Sequence, residues 1–259
     1  TLYNNSIKMK TLINSLFKIF GLKIVKLDYL LYVQRLLKKY NYIRYLDVSE
    51  KNRFKEIGNI FYESNSENSQ DIMVLDQLNF KKNGFFVEFG AGNGEKFSNT
   101  FLLEKKFNWE GILAEPCKSF HKEICSKRNC VIDKRAVSDK TGVEVNFVEF
   151  ENKHFSKINF KPIKDKINYT VLTISLMDLL NEYNCPNEFD YLSIDTEGNE
   201  FEILKNLDFT IYKPSIISIE HNHDSKIKES IFDLLNEHGY IKIFKEISDQ
   251  DDWYKLKNL

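Results

Sequence analysis

Three groups of residues have the types and spacing for chemistry. The first is Phe86-Val87-Glu88-Phe89-Gly90-Ala91-Gly92-Asn93-Gly94-Glu95, an apolar run entering a Gly-x-Gly-x-Gly turn. Glycines in this pattern let the backbone turn sharply and approach a ligand closely, and amides at the start of the next helix then point at whatever binds. Such a turn suits a nicotinamide dinucleotide, a nucleotide sugar or S-adenosylmethionine, or is a plain tight turn. Two details discriminate. A dinucleotide fingerprint places its third glycine one position later, where this chain has Glu95. Glu88 can engage the ammonium end of an amino-acid ligand but opposes a pyrophosphate. Both favour S-adenosylmethionine over NAD.

The second group is Gly111-Ile112-Leu113-Ala114-Glu115-Pro116, which sets Glu115 21 residues beyond Gly94. An acid at the carboxyl edge of the neighbouring strand accepts both hydroxyls of a ribose; the plainer alternative is a helix N-terminal acid stabilised by the dipole.

The third group spans two later strands. Tyr191-Leu192-Ser193-Ile194 delivers Asp195, and Thr196-Glu197-Gly198-Asn199-Glu200 turns into the next helix. Ile216-Ile217-Ser218-Ile219 delivers Glu220, His221 and His223 to the same edge. If the ligand is S-adenosylmethionine, transfer of its methyl needs in-line approach of the acceptor and, where that acceptor is a hydroxyl, removal of its proton. Asp195, Glu220 and His221 together suit a divalent cation, and the oxygen-rich set favours magnesium or manganese over zinc. Without a metal, His221 or His223 is the general base. In a third reading Glu197 and Glu200 only orient the loop. The other histidines read blandly: His154 as a solvated loop residue rather than a lid, His121 and His238 as surface or packing residues. Phe97, Phe101, Phe107 and Trp109 read as core, whereas three polar residues in a row, Ser98-Asn99-Thr100, exceed what one helix cap needs.

Positioning these groups requires short apolar runs alternating with amphipathic segments. Strands are expected at 85–89, 111–115, 130–133, 143–149, 189–195, 215–221 and 240–246. Helices are expected at 96–106, 117–127, 175–184, 199–207 and 226–238. This alternation predicts a mostly parallel sheet with helices on both faces. Tyr240 to Lys245 with Trp253 to Leu256 predicts a closing antiparallel hairpin. Residues 63–71 are polar and read as a linker or an ordered loop.

Residues 1–53 hold eleven Lys or Arg against three acids, so the remainder is acidic and the chain nets -1. That balance argues against a general nucleic-acid binder. The first 60 residues are expected to form a basic, amphipathic helical extension to a domain at 61–259. The extension either packs on that domain or rests on an anionic membrane surface through residues 1–50. Lys23 and Lys26 interrupt its apolar stretch, against a secretory signal. The spacing of Cys117, Cys125, Cys130 and Cys185 fits neither a zinc knuckle nor a disulfide ladder, and reduced thiols point to a cytoplasmic protein, at most peripheral to the inner membrane face.

Glu88-Phe-Gly-Ala-Gly-Asn-Gly94, Ser98-Asn-Thr100, Leu113-Ala-Glu-Pro116, Arg135-Ala-Val-Ser-Asp139 and Asp190-Tyr-Leu-Ser-Ile-Asp-Thr-Glu-Gly-Asn-Glu200 resemble the FkbM-type methyltransferases over about residues 66–245, in order. An Asp is more usual where this chain has Glu88. The resemblance implies the class I methyltransferase (Rossmann-like) sheet and S-adenosylmethionine. It further implies that Phe89, Ala91, Asn93, Ser98, Asn99, Pro116, Arg135, Ala136 and Asp195 join Glu88, Glu115 and the three glycines around the cofactor. It also implies O-methylation of a sugar or glycan acceptor, in surface-glycan (capsule, lipopolysaccharide) or glycosylated natural-product synthesis. Asp195 followed by an acid on the next strand is similar to metal-dependent sugar O-methyltransferases of macrolide pathways, which carry an acidic pair where this chain has Glu220-His221. The rival expectations are a silent adapter that keeps the fold, and an NAD-dependent sugar-modifying enzyme.

Overall fold

A computed structural model describes residues 51–159, 161–247 and 250–259. The membrane-contact expectation for residues 1–50 falls outside them. Two helices, α1 (Lys51–Ile60) and α2 (Gln70–Gln77), precede β1 (Phe85–Phe89). Then come α3 (Phe101–Phe107), β2 (Glu110–Ala114), a 3₁₀ turn at Lys118–Phe120 running into α4 (His121–Lys127), and β3 (Val131–Asp133). A second group follows: β4 (Ala136–Ser138), β5 (Glu144–Glu149), β6 (Lys157–Ile158) and β7 (Ile167–Ser175). The chain finishes with α5 (Leu176–Glu182), β8 (Glu188–Ile194), α6 (Glu200–Leu204), β9 (Lys213–Glu220), α7 (Ser225–Glu237), β10 (Tyr240–Ile243) and β11 (Asp251–Leu256).

The main sheet has the order β3-β2-β1-β8-β9-β11-β10. Its first five strands are parallel, and β11 runs antiparallel to both β9 and β10. This is the class I methyltransferase sheet with its closing hairpin, as the sequence led us to expect. The order reverses between β1 and β8, and in open α/β sheets ligands bind outside the carboxyl ends of the strands at that reversal.

Side-chain alternation along the strands builds a core on each face. Val87, Phe89, Leu192, Ile194, Ile217 and Ile219 pack under α5, α6 and α7. Phe86, Leu113, Tyr191, Ile216 and Trp253 meet α1 to α4 on the other side. Ile57 and Ile60 of α1 are buried there too, so α1 packs on the domain that follows it. On this second face the register pairs Glu88 with Ser193 and Ser193 with Ser218. A buried polar row therefore crosses the sheet just below its carboxyl edge.

Two expected elements differ. The strand at 143–149 is not in the main sheet; β5 pairs antiparallel with β7 and β6 in a separate four-stranded sheet, order β4-β7-β5-β6. Its partner β7 alternates outward Thr170 and Leu172 with inward Val171 and Thr173, the pattern of a sheet with one wet face. The helix expected from residue 96 starts only at Phe101, because Ser98, Asn99 and Thr100 bond to Glu88 instead of to the helix.

Gly90 is where backbone freedom matters most. Its φ is +76°, and a Cβ there would stand 2.0 Å from the carbonyl oxygen of Asp195. Gly90→Ala is thus expected to force β1 and β8 apart. It should cost about 3 kcal/mol in urea unfolding, from overpacking and positive-φ strain together; wild-type stability in this variant would contradict the close approach.

Candidate active site

A cavity of about 500 Å³ opens at the carboxyl ends of β1, β8 and β9. On one side lies the glycine turn. A Cβ on Gly92 would come within 2.8 Å of the His154 ring, so a side chain there would fill the cradle. Glu115 stands beside it on the cavity wall, 5% exposed. Its two oxygens accept from Gly92 N at 2.7 Å and Cys117 N at 2.8 Å. Burial outweighs those hydrogen bonds and pushes the carboxyl up to about 7. Pro116, Phe120, Ala136 and Val137 add an apolar slot. A bare turn, an acid able to span two hydroxyls and an apolar slot fit the methionine, ribose and adenine parts of S-adenosylmethionine.

Glu88 does something other than the ammonium contact expected of it. It is 2% exposed and off the cavity wall. One oxygen accepts from Asn99 N at 2.7 Å, and the other from Ser98 Oγ at 2.9 Å and from Thr100 Oγ1. Arg128 closes this girdle through Ser98 Oγ, Thr100 Oγ1 and the Gly94 carbonyl. Glu88 therefore fixes the segment after the turn, which explains the run of three polar residues. Only Asn99 of the three reaches the cavity, its Nδ2 donating to Ser193 Oγ at 2.9 Å. Phe89 and Ala136 are on the wall, whereas Ala91, Asn93, Gly94 and Ser98 stand behind it. Arg135 is also away from it, held by Asp133 at 2.5 Å and Glu182 at 2.9 Å.

On the other side Asp195, just past β8, and Glu220, at the end of β9, bring carboxyl oxygens within 4.8 Å of each other. Both carboxyls are raised well above the ordinary range, first by burial, and for Asp195 also by the charge of Glu220. Two carboxylates this close hold one proton between them. Glu197, at φ +63°, adds a third oxygen: one ligand atom from each of Asp195, Glu197 and Glu220 lies within 4.8 Å of the others. Glu200 plays the loop-orienting part, accepting from Thr196 N, Thr196 Oγ1 and Gly198 N.

Neither His221 nor His223 lines the cavity. Side chains alternate along a strand, so Glu220 facing the cavity turns His221 away. His221 is 1% exposed, with Nε2 3.4 Å from Asp252 Oδ1 and Nδ1 accepting from His223 N at 3.2 Å. The expected metal set of Asp195, Glu220 and His221 is corrected accordingly: Glu197 stands where the imidazole was placed. Asn222 takes the histidine's place on the wall, donating to Glu220 Oε2 at 3.1 Å.

Sequence reasoning missed His154, Phe97 and Asp251, and left the segment at 63–71 open between a linker and an ordered loop. His154 is no solvated loop residue. The β5–β6 loop carries it over the glycine turn, with ring centroids 5.0 Å from Phe97 and 5.2 Å from Phe120. Burial lowers its pKa, which favours a neutral ring. Phe97 lines the cavity at φ +68°, tied through its amide to Asn65 O at 3.1 Å. The polar run at 63–71 is the ordered loop. Asp71 shapes it by accepting from Ser64 Oγ, Ser66 Oγ and Asn65 N, so that Glu67, Asn68 and Gln70 form a wall of the cavity. Asp251, opening β11, completes that wall. The signal available in sequence was the density of Ser and Asn before α2, with Asp71 in its first turn.

Residues 88–242 match the methyltransferase FkbM domain, more than half of the chain. No curated protein matches the chain. Among solved structures, methyltransferase FkbM from Methylobacillus flagellatus is similar at 14% identity, over 68% of this chain and 44% of that one, with a TM-score of 0.46. Precorrin-6y C5,15-methyltransferase from Geobacter metallireducens aligns at 12% identity, over 71% and 84%, with a TM-score of 0.38. A methyltransferase from Pyrococcus furiosus aligns at 14% identity, over 72% and 80%, with a TM-score of 0.37. The domain match, on a chain whose sheet order and glycine turn fit it, makes this protein a member of the FkbM methyltransferase family, dependent on S-adenosylmethionine.

Proposed function

We propose that the protein transfers the methyl group to a hydroxyl oxygen of a sugar, in the synthesis of a surface glycan or a glycosylated natural product. The observation carrying this reading is the close Asp195–Glu220 carboxyl pair, set between the glycine turn and a wall of carboxamides and carboxylates. S-adenosylmethionine, when bound, supplies an electrophilic methyl on a sulfonium. Gly90 and Gly92 give it backbone without side chains, Glu115 spans the ribose hydroxyls, and Phe120, Ala136 and Val137 flank the adenine. The Asp195–Glu220 pair, holding one proton and one charge, accepts a hydrogen bond from the acceptor hydroxyl. It takes that proton as the oxygen bonds to the methyl. Asn222 steadies the Glu220 oxygen. The intact turn, Glu115 and acid pair argue against a silent adapter.

A second reading is favoured by the three oxygens of Asp195, Glu197 and Glu220. A magnesium or manganese ion would take the place of the shared proton and lower the pKa of a bound hydroxyl. The test begins with calorimetric titration of S-adenosylmethionine and its demethylated product, S-adenosylhomocysteine, and continues with transfer of labelled methyl to methyl glycosides. Micromolar binding and label in a methyl ether are expected. Activity that survives exhaustive chelation supports the proton-sharing pair, and loss restored by magnesium supports the cation. Absence of cofactor binding sinks both.

A further inference from the structure

The match to the family domain begins at residue 88 and ends at 242, yet the acceptor side of the cavity is closed by residues on either side of it. Gln70 Nε2 donates to Asp251 Oδ2 at 2.9 Å, and Asn68 Nδ2 to Asp251 Oδ1 at 3.3 Å. These contacts join chain segments 181 and 183 residues apart. Resting on the methyl-transfer reading above, we infer that these flanking segments determine acceptor selectivity: Asn68, Gln70 and Asp251 form a subsite for neutral or amino-bearing polyols that rejects anionic ones.

The subsite is built rather than incidental. Asp251 is 7% exposed, on the cavity wall, and fixed by Trp253 Nε1 at 2.5 Å as well as by the two carboxamides. The loop opposite is rigidified by Asp71 and by the parallel bridge of Ser66 to Phe97. Its charge is one-sided. The groups that donate to Asp251 are neutral: two carboxamides and an indole. In the sheet Asp251 is register partner to Glu220, so its carboxylate continues the acidic wall formed by Asp195 and Glu220. The two lysines lining the cavity, Lys96 and Lys153, belong to the glycine-turn segment and the β5–β6 loop, and neither donates to Asp251. An acceptor carboxylate or phosphate here would face like charge in a partly desolvated cleft. Hydroxyls and ammonium groups, by contrast, donate to carboxylate and carboxamide oxygens.

The test is saturation-transfer NMR on the full chain loaded with S-adenosylhomocysteine, using the methyl glycosides of glucose, glucosamine and glucuronate as probes. Glucoside and glucosaminide are expected to bind at least fivefold more tightly than glucuronide. Asn68→Lys, which sets a cation beside Asp251, should raise glucuronide affinity at least fivefold with product affinity within twofold of wild type. Asp251→Asn should narrow the same gap, and if it fails to fold the lysine variant decides alone. Equal binding of glucuronide, an unchanged preference in Asn68→Lys, or no glycoside binding by a chain that binds S-adenosylhomocysteine overturns the inference. Failure of the wild-type chain to bind S-adenosylhomocysteine overturns the methyl-transfer reading beneath it.

Discussion

Asp195→Asn and Glu220→Gln are each expected to slow methyl transfer by about 10²–10⁴, the range for loss of a general base. Their double variant should be little slower than the worse single one. The two carboxyls bring oxygens within 4.8 Å of each other, and burial raises both above the ordinary carboxylate range, so they act as one base with one proton. Replacing Asp195 leaves Glu220 bonded to an amide, which donates to its carboxylate and makes it a weaker base. Replacing Glu220 has the mirrored effect on Asp195. Once either is gone the shared-proton base no longer exists, so the second replacement removes little more. Single-turnover rates at saturating S-adenosylmethionine, with product affinity by calorimetry, separate chemistry from binding. Additive effects in the double variant, or single losses below tenfold, would show that the pair is not the base.

The sheet was legible because its strands are short apolar runs with one outcome each. Asp195 and Glu220 were legible because a parallel strand ending in an acid places that acid at the carboxyl edge whatever the details. What sequence left open was direction. Glu88 lies in the right strand, but its register with Ser193 points it into the polar row beneath α3, where Ser98, Asn99 and Thr100 consume it. Alternation past the end of β9 was available as a signal, and applied strictly it sets His221 opposite to Glu220. His154 depended on a second sheet whose pairing of β5 with β7 joins residues 144–149 to 167–172, and no local pattern carries that information. The polar composition of 63–71 left a linker and an ordered loop equally open; it is the ordered loop because Ser64, Ser66 and Asp71 are buried together and satisfy one another. Buried polar networks of this kind are set by tertiary contacts, not by propensity.

Glu115→Gln should weaken S-adenosylhomocysteine binding at least tenfold, about 1.4 kcal/mol or more, and should also change how stability depends on pH. In the folded protein the carboxyl is raised from 4.5 to about 7, chiefly by burial. The folded state therefore holds this proton more tightly than the unfolded chain does. The resulting stabilisation is fully present below pH 4.5 and is lost as pH rises through the window to about 7, some 3 kcal/mol as an upper bound. Glutamine does not titrate, so relative to wild type the variant should gain stability across that window. Its one carbonyl oxygen cannot serve both Gly92 N and Cys117 N, a penalty of about 1–3 kcal/mol that applies at every pH. The variant should accordingly be the less stable form at pH 5 and close to wild type, or above it, at pH 8. Binding follows the same group. Ribose hydroxyls donate best to the ionised carboxylate, so wild-type affinity should climb towards pH 7 and then level. Association near pH 6.5 should release a proton. Calorimetry in two buffers of different ionisation enthalpy reads that proton directly, and its persistence in Glu115→Gln would mean that another group carries the ribose contact.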